Sequence, residues 1–119
     1  MIIGVGCDIL EISRIEKLKN SSGSEKVFTE NERRHASGRN ALLAGDFSVK
    51  EAVSKAFGTG VRGFSLTEIE VLRDELGRPY VKLYGRAEAL FRKVGGAALH
   101  VSISDTGELV MAMAVLEGN

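Results

Sequence analysis

The 119-residue sequence predicts an α+β fold, a single domain over residues 1–119 with a largely antiparallel sheet packed on one long and several short helices. Strand-like segments with period-2 alternation lie at both ends of the chain, and segments with helical spacing lie between them. Two pairs of strand-like segments are joined by short turns that contain glycine, as in antiparallel hairpins. The predicted order is β-α-α-α-β-β-α-β-β, which is typical of the α+β class. A chain of this length is large enough for one hydrophobic core and too small for two.

The first predicted element is a strand at Ile2–Leu10. Alternation divides it into an apolar face and a face with two glycines: Ile3, Val5, Cys7 and Ile9 against Gly4, Gly6, Asp8 and Leu10. We expect the apolar face to be buried, with Cys7 inert within it. Asp8 then projects from the other face, beside the glycines.

Two short helices are predicted to follow the first strand. The motif SRIE at residues 13–16 has the spacing of a capping box and predicts a helix over about 14–19. The segment NSSGSE at 20–25 is typical of a loop. A second capping box, TENE at 29–32, predicts a helix that ends at about Ser37.

The longest predicted helix covers Ala41–Phe57, with Gly58 suited to its C-terminal stop. Its apolar residues recur at roughly helical spacing: Leu42, Leu43, Phe47, Ala52, Val53, Ala56 and Phe57. Among them lie Glu51 and Lys55, which are four residues apart and therefore share one face. We interpret Lys50 mainly as a basic flank of this helix.

The C-terminal half is predicted to form two hairpins with a helix between them. Gly77, in the turn DELGR, suits a positive φ, and Pro79 suits the first residue of a strand because it has no amide donor. The turn Asp105-Thr-Gly107 is expected to be of the Asx type. The elements are strands at Thr67–Arg73 and Pro79–Leu83, a helix at Gly85–Val94, and strands at Ala98–Ser104 and Glu108–Leu116.

Composition excludes several classes of function. Lys and Arg total 16 and Asp and Glu total 16, so no global field attracts nucleic acid or an anionic membrane. Five Phe, two Tyr and no Trp argue against a base-stacking surface. A single cysteine, a start without the features of a signal peptide, and the lack of an apolar run of about 20 residues predict a cytoplasmic protein.

Asp8 and Glu51 are candidate ligands for a hard cation. Mg²⁺ is usually held by one or two carboxylates together with substrate phosphate oxygens, so this pair suits a metal that binds a phosphorylated ligand. The residues alone leave alternatives open. Asp8 could cap a turn at the strand end, and Glu51 could complete a capping box with Ser48.

Lys55 and the turn Gly58-Thr59-Gly60 are candidates for binding phosphate. A lysine ammonium is a point charge suited to pyrophosphate, and glycines let backbone amides approach a ligand closely. The alternative is a surface ion pair of Glu51 and Lys55, worth about 0.3–0.5 kcal/mol, followed by a helix stop.

A third candidate group lies on the strand that begins the last hairpin. His100, Ser102 and Ser104 alternate and share one face, where an imidazole and two hydroxyls could bind phosphate oxygens or only hydrogen-bond across the sheet. A serine-hydrolase mechanism is not supported, because the sequence has no Gly-x-Ser-x-Gly motif.

Taken together, these segments resemble the holo-acyl-carrier-protein synthases, a group of small 4′-phosphopantetheinyl transferases. The order, spacing and length of the motifs match over nearly the whole chain. The matching stretches are GVGCDILEISRI (Gly4–Ile15), KVFTENE (Lys26–Glu32), LAGDFSVKEAVSKAFGTG (Leu43–Gly60), IEVLRDELGRPYVKLYGRA (Ile69–Ala87) and HVSIS (His100–Ser104).

The resemblance implies transfer of 4′-phosphopantetheine from coenzyme A to a serine of apo-acyl carrier protein in fatty acid biosynthesis, with release of adenosine 3′,5′-bisphosphate. It implies that Asp8 and Glu51 bind Mg²⁺ together with the coenzyme A pyrophosphate and that Lys55 pairs with the phosphates. It places Gly58, Thr59 and Gly60 along the nucleotide. The proton of the carrier serine could be accepted by Glu51 or by a metal-bound water.

The resemblance also implies partners. Family members form homotrimers with each active site at a subunit interface, and their first helix docks the acidic carrier protein. Arg14 matches a docking arginine, and Lys17 and Lys19 lie in the same helix. These lysines could also belong to an ordinary solvated helix face.

Two positions depart from the family pattern. Asp46 stands where relatives usually have Arg, and Asp105 where they have His. Near an anionic ligand each acid would replace attraction by repulsion, and we expect weaker coenzyme A binding as a result. Locally, each acid also has a benign role, Asp46 at a helix N-terminus and Asp105 in a turn. The alternative function is therefore an impaired or non-catalytic relative that binds carrier protein or nucleotide without turnover.

Overall fold

A three-stranded antiparallel sheet with one long helix across its inner face forms the centre of the molecule. The computed structural model describes residues 1–119. The elements in chain order are β1 (Ile2–Glu11), α1 (Ser13–Lys19), α2 (Ser24–Val27), α3 (Glu30–Ala36), α4 (Asn40–Ala56), β2 (Ile69–Arg73), β3 (Pro79–Leu83), α5 (Gly85–Lys93), β4 (Gly96–Asp105) and β5 (Leu109–Gly118). The main sheet has the order β1-β5-β4, and β2 and β3 form a separate hairpin. The predicted α+β class with a largely antiparallel sheet is confirmed.

Two glycines allow α4 to lie directly on β1. A Cβ atom on Gly4 would overlap the carbonyl oxygen of Ala56, and one on Gly6 would overlap the carbonyl oxygen of Ala52. Any side chain at these positions would hold the strand away from the helix. The glycines therefore bring the backbones of β1 and α4 into contact beside Asp8.

The core lies between α4 and the sheet, with a second cluster under the three short helices. Small residues of α4 pack on small residues of β5, which keeps this layer thin. The main cluster includes Val49, Ala52, Val53, Ala56, Ala112, Ala114 and Leu116, and the second includes Leu10, Ile15, Phe28, Leu43 and Val110. None of the helices is both long and apolar enough to span a bilayer.

The outer face of the main sheet carries apolar side chains that nothing in the chain covers. Five of its members on β1 and β5 are exposed: Val5, Cys7, Ile9, Met111 and Met113. The prediction that the apolar face of β1 is buried, with Cys7 inside, is wrong. The glycine face packs on α4 instead, because only that face permits the close approach of the helix.

Lys50 is also placed differently from the prediction. Its side chain is fully buried and lies 2.9 Å from the Glu32 carboxylate, so it is not a basic flank of α4. Its ammonium donates to the carbonyl oxygens of Leu66 and Ile69. Glu32 also accepts the amide of Val71 at 2.7 Å. This buried pair therefore ties α4 to α3 and to the β2 hairpin.

Of the two predicted capping boxes, one forms and one does not. Thr29 and Glu32 form the predicted capping box at α3. At α1 the helix forms, but Ile12 is the N-cap residue and makes no side-chain cap. The carboxylate of Glu16 instead accepts a hydrogen bond from Asn40 at 2.5 Å. The predicted box at 13–16 is therefore wrong, because a tertiary partner takes the Glu16 side chain.

Three further boundaries or turns differ from the expectations. The segment expected to be a loop contains the start of α2 at Ser24. A 3-10 turn at Leu66–Glu68 replaces the start of the predicted second strand. In the last hairpin, the Thr106 hydroxyl accepts the amides of Glu108 and Leu109, so Thr106 rather than Asp105 caps the turn.

Candidate active site

Asp8, Glu51 and Lys55 come together where β1 crosses α4. Asp8 follows the close contact at Gly6 and points to the inner face, toward the helix. The Lys55 ammonium lies 3.6 Å from Asp8 Oδ1 and donates to the carbonyl oxygen of Cys7 at 2.9 Å. Glu51 lies one turn earlier on α4 and is close enough for its charge to interact with those of Asp8 and Lys55. The charges of the two carboxylates proposed as cation ligands thus act on each other, although 43 positions in the sequence separate them.

The electrostatics of Glu51 reflect this crowding. Burial raises the pKa of its carboxyl group, and the negative charge of Asp8 raises it further. Lys55 and Arg14 act in the opposite direction. Two carboxylates held this close repel each other, and a cation between them would remove that repulsion.

Ser48 is a member of the site that the sequence interpretation missed. Its hydroxyl donates to Asp8 Oδ2 at 3.0 Å and lies 3.3 Å from the Asp8 carbonyl oxygen. Ser48 lies inside α4, so it does not form a capping box with Glu51. The spacing of Ser48, Glu51 and Lys55 puts them on one helix face, and this is the signal that could have identified it.

The donor set fits a hard divalent cation. Asp8 and Glu51 supply carboxylate oxygens, which Mg²⁺ prefers. The chain has no group of three or more His, Cys, Asp or Glu side chains that could hold a metal by itself. A cation here would take its other ligands from a bound phosphate and from water, which is how Mg²⁺ is commonly held at sites that bind phosphorylated substrates.

Gly58, Thr59 and Gly60 form an open turn at the end of α4, beyond Lys55. Both glycines have positive φ, 84° and 63°, which explains the residue type. A Cβ on either would meet nothing within 4 Å, so the outer side of this turn is open. The Thr59 hydroxyl donates to the Gly60 carbonyl oxygen.

His100, Ser102 and Ser104 are not brought to this site within one chain. Ser102 pairs in register with Met113, and Met113 pairs with Cys7, so these residues share the outer face while Asp8 points to the inner one. His100 contacts the Glu117 carboxylate at 2.9 Å on that exposed face. The three residues on β4 are exposed.

Arg14 and Lys17 line a surface groove of about 580 Å³ beside the site. Leu18 and Phe47 contribute apolar lining, and Glu11 adds one carboxylate to the two basic side chains. Arg14 is near enough to Glu51 to act on its charge. Lys19 belongs elsewhere, because its ammonium donates to Gly38 and Asn40.

Asp46 and Asp105, the two acids that depart from the family pattern, have different surroundings. Asp46 is fully buried and pairs with Arg73 at 2.7 Å, and its Oδ2 has no hydrogen-bond partner. Burial raises the pKa of Asp46 to about 7, against the opposing effect of Arg73. Asp46 is therefore paired with Arg73 inside the fold rather than exposed to a ligand, and its effect on coenzyme A binding stays a prediction. Asp105 is exposed beside Ser104 at the end of β4.

Known proteins that are similar to this chain match it over nearly its whole length. The family described as the 4′-phosphopantetheinyl transferase superfamily matches residues 4–114. The holo-[acyl-carrier-protein] synthase of Lachnoclostridium phytofermentans is 46% identical over 118 residues, which cover 98% of this chain and 97% of that protein.

Solved structures show the same fold. The holo-[acyl-carrier-protein] synthase of Neisseria meningitidis superposes with a TM-score of 0.87 at 32% identity, covering 98% of this chain and 99% of that one. The synthase of Bacillus anthracis, solved in complex with CoA (3′,5′-ADP), superposes with a TM-score of 0.83 at 38% identity, covering 100% and 99%. The resemblance that the motifs indicated is confirmed, and the chain belongs to the 4′-phosphopantetheinyl transferase superfamily.

Proposed function

We propose that this protein is a holo-[acyl-carrier-protein] synthase, whose residues 1–119 act as one domain. It transfers 4′-phosphopantetheine from coenzyme A to a serine hydroxyl of apo-acyl carrier protein, as part of fatty acid biosynthesis. The reaction forms a bond between the carrier serine oxygen and the transferred phosphorus and breaks the pyrophosphate bond, which releases adenosine 3′,5′-bisphosphate. The observation that carries the proposal is the convergence of Asp8, Glu51 and Lys55 in a chain that matches holo-[acyl-carrier-protein] synthases end to end.

Each residue of the site has a role in handling the pyrophosphate. Asp8 and Glu51 would hold Mg²⁺, which supplies neutralisation of charge at the transferring phosphorus. The Lys55 side chain is half-exposed, and its ammonium has three donors, of which one is used by the Cys7 carbonyl oxygen, so others can pair with phosphate oxygens. The open turn at Gly58–Gly60 lets the nucleotide approach the backbone closely, although the amides of Gly58 and Gly60 themselves donate to the carbonyl oxygens of Lys55 and Ser54.

Mass spectrometry of the carrier protein tests this function. The protein is incubated with apo-acyl carrier protein, coenzyme A and Mg²⁺, and we expect the carrier to gain one phosphopantetheine. Glu51→Gln should lose most of the rate. Glu88→Gln, which changes an exposed carboxylate on α5, is the matched control and should keep it. The absence of any mass gain across pH and metal conditions would reject the proposal.

We also propose that three copies assemble through the outer sheet face. Val5 and Ile9 are 57% and 67% exposed, and Met111 and Met113 extend the same apolar surface, which is unusual for a sheet that stays uncovered. Assembly would let His100, Ser102 and Ser104 of one copy approach the Asp8 site of another, which they do not reach in their own chain.

Sedimentation measures the assembly directly. We expect a trimer for the unmodified protein and a smaller species for Met113→Glu, because a charge in the middle of the interface would be left without a partner. Leu76→Glu changes an apolar residue that is 95% exposed in the β2–β3 turn and serves as the control. A monomeric unmodified protein would reject the trimer without affecting the transfer assay.

Arg14 and Lys17 are proposed to dock the carrier protein through the groove beside the site. An acidic partner would meet local positive charge there although the net charge of the chain is +0. A cytoplasmic location is also part of the proposal, since the single cysteine cannot form a disulfide within the chain. The buried position of Asp46 weakens one of the two observations behind a non-catalytic alternative, and Asp105 remains to favour it.

A further inference from the structure

The hydroxyl of Ser48 makes an unusual contact for a serine inside a helix. Ser48 is fully buried in α4, and its Oγ lies 3.0 Å from Asp8 Oδ2 on the neighbouring strand. The Asp8 carbonyl oxygen lies 3.3 Å away. A serine hydroxyl has one proton, and the charged carboxylate is the stronger acceptor of the two.

Ser54 provides the comparison within the same helix. It is equally buried, but its hydroxyl donates to the carbonyl oxygen of Lys50 at 2.7 Å, four residues earlier. This is the usual bond of a serine inside a helix. Ser48 makes no such bond to its own helix and reaches across to β1 instead. The contact therefore serves Asp8 rather than α4.

The two carboxylate oxygens of Asp8 therefore have different partners. Oδ2 is held on the buried side by Ser48, while Oδ1 faces Lys55, whose side chain is 54% exposed. A carboxylate anchored by a hydrogen bond at one oxygen cannot rotate freely, so the other oxygen keeps one direction. The close contact at Gly6 sets the distance between strand and helix that makes this bond possible.

We propose that Ser48 is a positioning residue that orients the Asp8 carboxylate for the divalent cation and leaves Oδ1 available to it. This inference rests on the cation site of the proposed function. A hydrogen bond that only ties α4 to β1 would change stability when it is removed. A positioning bond changes the affinity for the metal, because partners of metal ligands typically contribute about 10–100-fold to it.

Mn²⁺ binding, followed by electron paramagnetic resonance with coenzyme A present, separates these roles. We expect Ser48→Ala to raise the Kd for Mn²⁺ by about 10-fold. Ser54→Ala removes an equally buried hydroxyl from the same helix and should leave the Kd unchanged. Ser48→Cys keeps the approximate volume with a weaker donor and should give an intermediate Kd. Thermal unfolding of each variant confirms that it is folded under the conditions of the titration.

Each result decides a different point. An unmodified protein that binds no Mn²⁺ would overturn the cation site and the role of Ser48 with it. An unmodified protein that binds Mn²⁺, and a Ser48→Ala variant that binds it equally well, would overturn the role of Ser48 and leave the cation site standing. Equal weakening by Ser48→Ala and Ser54→Ala would also overturn it, because the effect would then come from helix packing.

Discussion

Replacing Gly6 by alanine should separate β1 from α4 and move Asp8 out of the site. A Cβ at Gly6 would lie 2.9 Å from the Ala52 carbonyl carbon and closer still to its oxygen. Carbon atoms pack at about 3.5–4.0 Å, so the strand must move back by roughly 1 Å. The backbone at Gly6 does not have the positive φ that favours glycine, and the effect therefore comes from packing alone.

Two quantities should change together in Gly6→Ala. Overpacking of this kind costs about 1–3 kcal/mol of unfolding free energy, which thermal unfolding detects as a shift of several degrees. A displacement of about 1 Å at a reacting group can cost about 100-fold in rate. The rate is measured by mass spectrometry of the carrier protein, under conditions where both proteins are folded.

Gly107→Ala is the matched control for this prediction. Gly107 also lacks a positive φ, and a Cβ there would meet nothing within 4 Å, so stability and rate should stay those of the unmodified protein. A Gly6→Ala variant with unchanged rate would contradict this prediction, because the spacing of β1 and α4 would then not determine the geometry of Asp8.

Three further predictions concern charges. Lys50→Met should destabilise the protein by about 3–5 kcal/mol in chemical denaturation, because it leaves the buried Glu32 carboxylate without its partner. Arg34→Ala, which removes an exposed ion pair, is the control and should cost less than about 1 kcal/mol. The pKa of Asp46 is raised from 3.8 to about 7, so the folded state binds this proton more tightly than the unfolded chain, and the associated stability is lost as the pH rises through 7. Relative to Asp46→Asn, the unmodified protein should therefore lose about 3 kcal/mol of unfolding free energy between pH 5 and pH 8. If the unfolding free energies of both proteins had the same pH profile, this would contradict the burial of the Asp46 carboxyl group. Lys17→Glu should raise KM for the carrier protein, more at low than at high salt, and should leave coenzyme A binding, measured by calorimetry, unchanged. Lys26→Glu on α2 is the control, and an identical effect of this variant would show that the docking is not local.

Local signals predicted most of the fold. The spacing of apolar residues identified α4 within one residue at each end, and the Thr29 capping box marked the start of α3. Gly77 has the expected positive φ, and Pro79 is the first residue of β3. These features depend on residues that are neighbours in sequence, and local chemistry is sufficient to determine them.

The errors arose where a distant residue decides the outcome. Alternation in β1 indicated two faces, but only the contact with α4 determines that the glycine face is the buried one. The sequence indicates Lys50 as a basic flank of α4, because its partner Glu32 lies 18 positions earlier on another helix. The partner of Asp46, Arg73, lies 27 positions later. Such buried pairs leave no periodic pattern in the sequence.

The candidate site was predicted only in part, because some of its residues meet through contacts between distant parts of the chain. Glu51 and Lys55 could be grouped because they share a helix face, whereas the approach of Asp8 to them depended on the resemblance to a family. The helical spacing of Ser48, Glu51 and Lys55 could have indicated that Ser48 shares their face, but its bond to Asp8 joins residues 40 positions apart and depends on the tertiary fold. The position of His100, Ser102 and Ser104 on the outer face is a property of the sheet register.

A crystal structure with coenzyme A and Mg²⁺ bound is the most direct test of the proposed site. We predict one cation that is coordinated by an oxygen of Asp8, an oxygen of Glu51 and the coenzyme A pyrophosphate, with the Lys55 ammonium on the phosphates. The nucleotide should lie along the turn at Gly58–Gly60. Coenzyme A bound with its pyrophosphate away from Asp8 and Glu51, or a cation held by neither carboxylate, would contradict the proposed site.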